Sequence, residues 1–305
     1  MSELDRRDFV KLGAATAAGA GVLVRCSREE QEVPDTLDLA ERAGLSVNSL
    51  MKPFDCDVIV GRRNVITADS FWETGKILEA MARFEITQAL IYHAASEEVD
   101  PQRGNEWVDE EAAEAGAMRP SWVLSPAIRG EWPEPGQIVE SLIGSGARAA
   151  RLFPHAQFFP LSVFMLDNLL AELEQHRVPL LVHAATTHTW NDHTDWRGLE
   201  EICTAFPGLP VVAMRVGLRV TRSLYRMLEK LPNFHYQLSA MNCNFRGIED
   251  VVNHFGSSRI IFGSMMPVIS PAIPLTQIAY ADVTDEDKRN ICGENLRRLT
   301  GGIKS

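Results

Sequence analysis

Ala149-Ala150-Arg151-Leu152-Phe153, then residues 161–176 with apolar side chains at Leu166, Leu169, Leu170 and Leu173, then Pro179-Leu180-Leu181-Val182-His183: this stretch decides the fold. The two outer runs are short and almost wholly apolar, as strands buried on both faces must be. The leucines between them recur at intervals of three and four, one stripe of an amphipathic helix. Strand, helix and strand in that order make one βαβ unit, whose two strands lie parallel. The pattern repeats outward in both directions. Candidate strands fall at 54–60, 89–93, 122–126, 149–153, 179–183, 210–214, 235–239 and 260–263. Their starts lie roughly 25 to 35 residues apart, the length of one βα unit. A second helical stripe runs through Leu224, Met227, Leu228 and Leu231, and a final helix opens on the capping sequence Thr284-Asp285-Glu286-Asp287 and stops at Gly301-Gly302. Eight such units predict an α/β fold, a (β/α)8 TIM barrel, over residues 52–300. The alternative, an open doubly wound sheet, finds no support in a GxGxxG after the first strand.

The N-terminus reads as an export signal. Arg6-Arg7 is followed by Phe9 and Lys11 and then by a weakly apolar Gly/Ala-rich run to Val24, which is similar to a twin-arginine signal. Residues 1–26 are assigned to it, 27–51 to a polar linker, and the protein is expected outside the cytoplasm, in the periplasm or beyond. The apolar run is far shorter than the roughly 20 residues that span a bilayer, so no membrane span is expected. With 30 Lys and Arg against 41 Asp and Glu, the net charge is −11. That disfavours nucleic acid and anionic membranes as partners. Five scattered cysteines form no CxxC pair and are read as free thiols.

In a barrel of this kind the active site lies at the C-terminal ends of the strands. There the chain carries Asp57, His93, Ser125, Arg129, Arg151, His155, His183, Arg215, Ser239 and Ser264. Several of these stand in segments with a family likeness. Phe54-Asp55-Cys56-Asp57-Val58-Ile59-Val60-Gly61 resembles the first-strand Asp-x-His-x-His of the amidohydrolase superfamily, in its amidohydrolase-2-like branch of metal-dependent hydrolases and decarboxylases. Val182-His183-Ala184 resembles the fifth-strand histidine segment, and Met214-Arg215-Val216-Gly217 the sixth. Phe262-Gly263-Ser264-Met265-Met266-Pro267 resembles the eighth-strand FGSD-x-P. The resemblance implies hydrolysis or decarboxylation of a small anionic molecule at a metal centre. It also marks departures. Asp57 and Ile59 stand at the two first-strand histidines, Arg215 at the sixth-strand histidine, and Met265 at the eighth-strand aspartate. His183 is the one ligand position retained. A catalytic zinc needs about three protein donors, and arginine is a permanent cation, so a zinc or other divalent cofactor is disfavoured.

Three readings of the site follow. In the first, an enzyme with a rebuilt centre uses His183, Asp57 and His93 as acid, base or ligand, with His155 a further pocket candidate. In the second, Arg215 and Arg151 (and Arg129 less directly) clamp a small anion without turnover, lined by Ser239 and Ser264. In the third, the barrel has a structural role. Within the vacated centre, Asp57 and Arg215 are expected to form a buried ion pair, because the resemblance makes the first and sixth strands converge. His188 and His193 mark a histidine-rich loop whose spacing matches no metal motif; Thr194-Asp195 after it reads as a helix N-cap. No GxSxG elbow, phosphate loop or cysteine nucleophile motif is present.

Overall fold

The eight strands are parallel and close on themselves. In the computed structural model, which describes residues 47–127, 130–184, 194–217, 221–239 and 244–304, they are β1 (Phe54–Val60), β2 (Gln88–His93), β3 (in two runs, Met118–Pro120 and Trp122–Leu124), β4 (Ala150–Leu152), β5 (Leu180–Val182), β6 (Val211–Ala213), β7 (Phe234–Leu238) and β8 (Ile260–Phe262). The first run of β3 pairs with β2 and the second with β4. Ser121 breaks the strand between the runs, yet its backbone N–H still reaches the Ile91 carbonyl at 2.8 Å. The other seam, between β8 and β1, is closed by a parallel bridge from Val58 to Met266 and by Ile59 N–H donating to Met266 O at 2.8 Å. The barrel predicted from the strand spacing is therefore the observed fold.

Most predicted strands lose their last residue or two. His183, Met214 and Ser239 stand just past their strands, where the backbone leaves the ladder and side chains are freed for the barrel mouth. Around the strands run α1 (Val47–Met51), α2 (Thr74–Arg83), α3 (Ala94–Glu98), α4 (Pro101–Ala113), α5 (Pro135–Gly144), α6 (Val163–Gln175), α7 (Trp196–Ala205), α8 (Thr221–Lys230), α9 (Gly247–Phe255), α10 (Ala272–Tyr280), α11 (Asp285–Arg289), a π-helical turn (Asn290–Glu294) and α12 (Asn295–Gly301). α1 lies in the stretch 27–51 expected to be linker. The Thr284 cap forms as its sequence predicts, its hydroxyl accepting from Asp287 N–H, and Asp195 caps α7 in the same way through Gly198 N–H. Cys56, Cys203 and Cys292 are buried free thiols. Among the described residues no helix is long and apolar enough to cross a membrane. The arginine pair of the N-terminal segment lies outside the described residues.

Alternation along the strands sorts the side chains into an outer and an inner core. Ala150 and Leu152, Leu180 and Val182, and Val211 and Ala213 join the core under the helices. Inside the barrel, Phe54, Cys56, Leu90, Ala149, Leu181, Val212 and Ile261 pack as a lower apolar layer, closed from below by Leu296 and Leu299 of α12. Ile59, Tyr92, Val123 and Phe153 form an upper apolar group with Met265 against it. Between the two lies a layer of charge.

Candidate functional site

The charged layer begins with an irregularity in β1. Asp55 pairs with Ala89 and Val58 with Ile91, so Cys56 and Asp57 together face the single residue Leu90. This bulge keeps Asp55 and Val58 in one phase and leaves both Cys56 and Asp57 to the barrel interior. Asp57 is fully buried, and its carboxylate meets Arg215 in a two-pronged pair, Nε to Oδ2 at 2.9 Å and Nη2 to Oδ1 at 3.0 Å. That is the strong fork geometry of guanidinium on carboxylate. Gln237 locks the pair: its Nε2 donates to Asp57 Oδ2 at 3.1 Å, and its Oε1 accepts the Arg215 backbone N–H at 2.7 Å. Arg215 sits at φ 54°, a left-handed conformation that disfavours side chains. The Gln237 bond is one of the contacts that holds it there.

A second guanidinium lies alongside. Arg151 is fully buried; its Nε donates to Ser121 Oγ at 2.7 Å, its Nη2 to the Cys56 carbonyl, and its Nη1 stands 3.2 Å from His183 Nε2 and 3.5 Å from Asp57 Oδ1. Its guanidinium carbon is 4.7 Å from the centre of the Tyr92 ring. Tyr92 accepts from Arg215 Nη2 at 2.9 Å and donates to Glu97 at 2.9 Å. His183 stacks on Phe153 with ring centres 3.9 Å apart.

Burial alone would raise the Asp57 carboxyl, but the Arg215 guanidinium outweighs it, with Arg151 adding to the pull, and holds it well below the ordinary carboxylate range. Burial, and then Arg215, push His183 well below its ordinary value, so the ring is neutral. Arginine only donates, which makes His183 Nε2 the acceptor and assigns the proton to Nδ1. Two buried donor atoms in this layer have no partner among the described residues: His183 Nδ1 and Arg215 Nη1.

The donor set does not fit a divalent metal. Both Asp57 oxygens and His183 Nε2 face guanidinium N–H groups, and two cations stand where a metal would have to sit. Ile59 and Met265 present only apolar surface there. No group of three His, Cys, Asp or Glu side chains among the described residues is close enough to hold an ion.

Of the residues singled out from sequence, Asp57, Arg151, His183 and Arg215 come together. His93 is elsewhere: its Nδ1 accepts from Ala95 N–H at 3.1 Å as the N-cap of α3, and its ring lies 5.0 Å from Trp107. His155 is exposed in the turn after β4. Ser125 accepts from Trp132 Nε1. Ser239 is buried at the end of β7. Ser264 serves Asp55, donating its backbone N–H to Oδ1 at 2.9 Å, while its hydroxyl accepts from Met266 N–H. Arg129, His188 and His193 lie outside the described residues. Sequence reading did not find Gln237, Tyr92 or Ser121. Gln237 had a signal, a lone amide within the apolar strand Phe234–Leu238.

The chain matches the family profile described as Amidohydrolase over residues 68–301. No curated protein matches it. Among solved structures it is similar to an uncharacterized TIM-barrel protein from Bordetella bronchiseptica, with TM-score 0.64 and 16% identity over 82% of this chain and 98% of that one. A 5-carboxyvanillate decarboxylase from Sphingomonas paucimobilis gives 0.62 and 12%, over 82% and 99%. A 2,6-dihydroxybenzoate decarboxylase from Rhizobium gives 0.58 and 15%, over 82% and 98%. At these identities the structures speak to the fold, and the profile speaks to the lineage: this chain belongs to the amidohydrolase family.

Proposed function

We propose that the barrel mouth binds a small organic carboxylate through Arg215 and His183, without a resident divalent metal. One observation carries this reading: two buried N–H donors, Arg215 Nη1 and His183 Nδ1, lack acceptors among the described residues, beside a layer holding two guanidinium groups and one carboxylate. An unpaired buried donor costs about 1–3 kcal/mol, and an incoming carboxylate supplies both the acceptors and the opposite charge. The aromatic acids named for two of the fold neighbours belong to the same ligand class. Binding is favoured over turnover because an efficient acid or base has a pKa near the working pH. Asp57 is held ionised, and His183 neutral, far from it.

Calorimetric titration of the EDTA-treated protein with benzoate and 2,6-dihydroxybenzoate tests the reading. Saturable binding, weakened tenfold or more in His183→Leu, is expected; binding that appears only after metal is added, or none of either acid, overturns it. Decarboxylation or hydrolysis of the bound acid, followed chromatographically, would move the assignment to the competing reading, a rebuilt enzyme. We further propose that Arg6-Arg7 directs export. Replacing both with Lys should retain the protein in the cytoplasm, and unchanged delivery would remove that proposal.

A further inference from the structure

The opposite end of the barrel carries a cavity of about 830 Å³ into which Arg177, Arg259, Arg298 and Lys304 all open, against the two carboxylates of Glu174 and Glu229. That volume is within the range of small-molecule sites, roughly 300–1,000 Å³. Five separate pieces of chain converge to form it: the end of α6, the loop before β6, the end of α8 with the loop to β7, the end of α9 with the loop to β8, and α12 with its tail. The tail is tied in place by a reciprocal pair of bonds, Lys304 N–H to His176 O at 2.8 Å and His176 Nδ1 to Lys304 O at 3.0 Å. That clamp brings the Lys304 and Arg177 backbones to the same edge.

Charge is what sets this cavity apart. None of the four cations has a carboxylate partner among the described residues, although one Arg259 nitrogen binds the Leu228 and Leu231 carbonyls and one Arg298 nitrogen the Ser258 carbonyl and Asn295. The acids are already engaged. Glu174 accepts the Gly208 N–H, and Glu229 pairs with Arg226 and Lys230. Basic residues near helix C-termini complement the helix dipole, which accounts for Arg177 and Arg298 one at a time but not for their meeting in one concavity. Arg177 also holds φ 53° just beyond α6, where glycine is the favoured residue. In a chain of net charge −11, a dianion is repelled at long range and needs such a local concentration of unpaired cations to bind.

We propose that this cavity is a second, non-catalytic site for a small polyvalent oxyanion, of the phosphate-ester or polycarboxylate class. Pyrophosphate and citrate, titrated separately into the full chain at low salt, are the probes. The expected result is saturable binding of at least one, lost on raising the salt. It should weaken roughly a hundredfold in the double variant Arg177→Met, Lys304→Met, about tenfold for each cation removed. His183→Leu, at the other end of the barrel, should leave it unchanged, and Glu229→Gln should strengthen it or leave it alone. Absence of saturable binding by both probes overturns the proposal, as does binding indifferent to the double variant. Binding abolished by His183→Leu but not by the double variant assigns the anion to the mouth site instead.

Discussion

The two ends of the barrel hold their positive charge in opposite ways. Near the mouth, Arg151 and Arg215 are sealed from solvent, and each guanidinium is fixed by several named partners around Asp57. At the far end, Arg177, Arg298 and Lys304 are exposed and have no carboxylate partner among the described residues. The difference teaches which charges the fold depends on and which it can spare. A sealed charge is inseparable from the fold, because losing one partner strands the other in a medium that cannot solvate it. An exposed one costs the fold little and remains available to whatever binds from solution.

The sharpest way to break the contrast is Arg215→Met. It leaves Asp57 buried beside Arg151 alone and should cost about 3–5 kcal/mol of unfolding free energy, a large part of the 5–15 typical of a domain. Asp57→Asn should cost less. In a double-mutant cycle, unfolding titrations should show the two changes strongly non-additive; simple addition would mean the pair is not coupled.

Asp55 gives the next effect, through pH. It lies in the outer phase of β1 with no partner for Oδ2 among the described residues, and burial lifts its carboxyl to about 7. The folded state thus holds a proton that the unfolded chain gives up near 4. The stability it contributes is fully present below pH 4 and is lost as pH rises to about 7, a change on the order of 4 kcal/mol. Asp55→Asn keeps an oxygen for the Asp57 and Ser264 N–H groups and should remove that slope. Melting curves from pH 4 to 8 with the same slope in both proteins would refute the assignment.

Gln237→Leu is a smaller break. It leaves the buried Arg215 N–H unpaired and should cost about 1–3 kcal/mol. The far end should contribute least: Arg177→Met and Lys304→Met are each expected within about 0.5 kcal/mol of the parent. A melting loss comparable to that of Gln237→Leu would erase the distinction between the two ends.

How far the sequence reveals this depends on how local each signal is. The strands were legible because eight short apolar runs at even spacing have few other meanings. The Asp57–Arg215 contact was legible because the family resemblance sets these two opposite charges at positions that converge on one centre. The bulge at Cys56–Asp57 was not, since strict alternation gives no sign of an extra residue. Nor was the break at Ser121, whose role depends on Arg151, thirty positions away in sequence. His93 misled for the reverse reason: it stands at a strand end like the others, yet capping α3 takes its Nδ1.

The arrangement of Asp57, Arg215 and Gln237 also constrains the routes by which this chain can change. A path toward histidine at either charged position passes through a protein with a buried ion that has lost its closest partner, and at Asp57 it also costs the Gln237 amide one of its two contacts. Either substitution made first lowers stability, so single steps meet a valley. Bridging it takes paired changes, or a background with enough spare stability to absorb the first. The barrel in this sense latches its own interior: the guanidinium and the carboxylate are more readily exchanged together than one at a time.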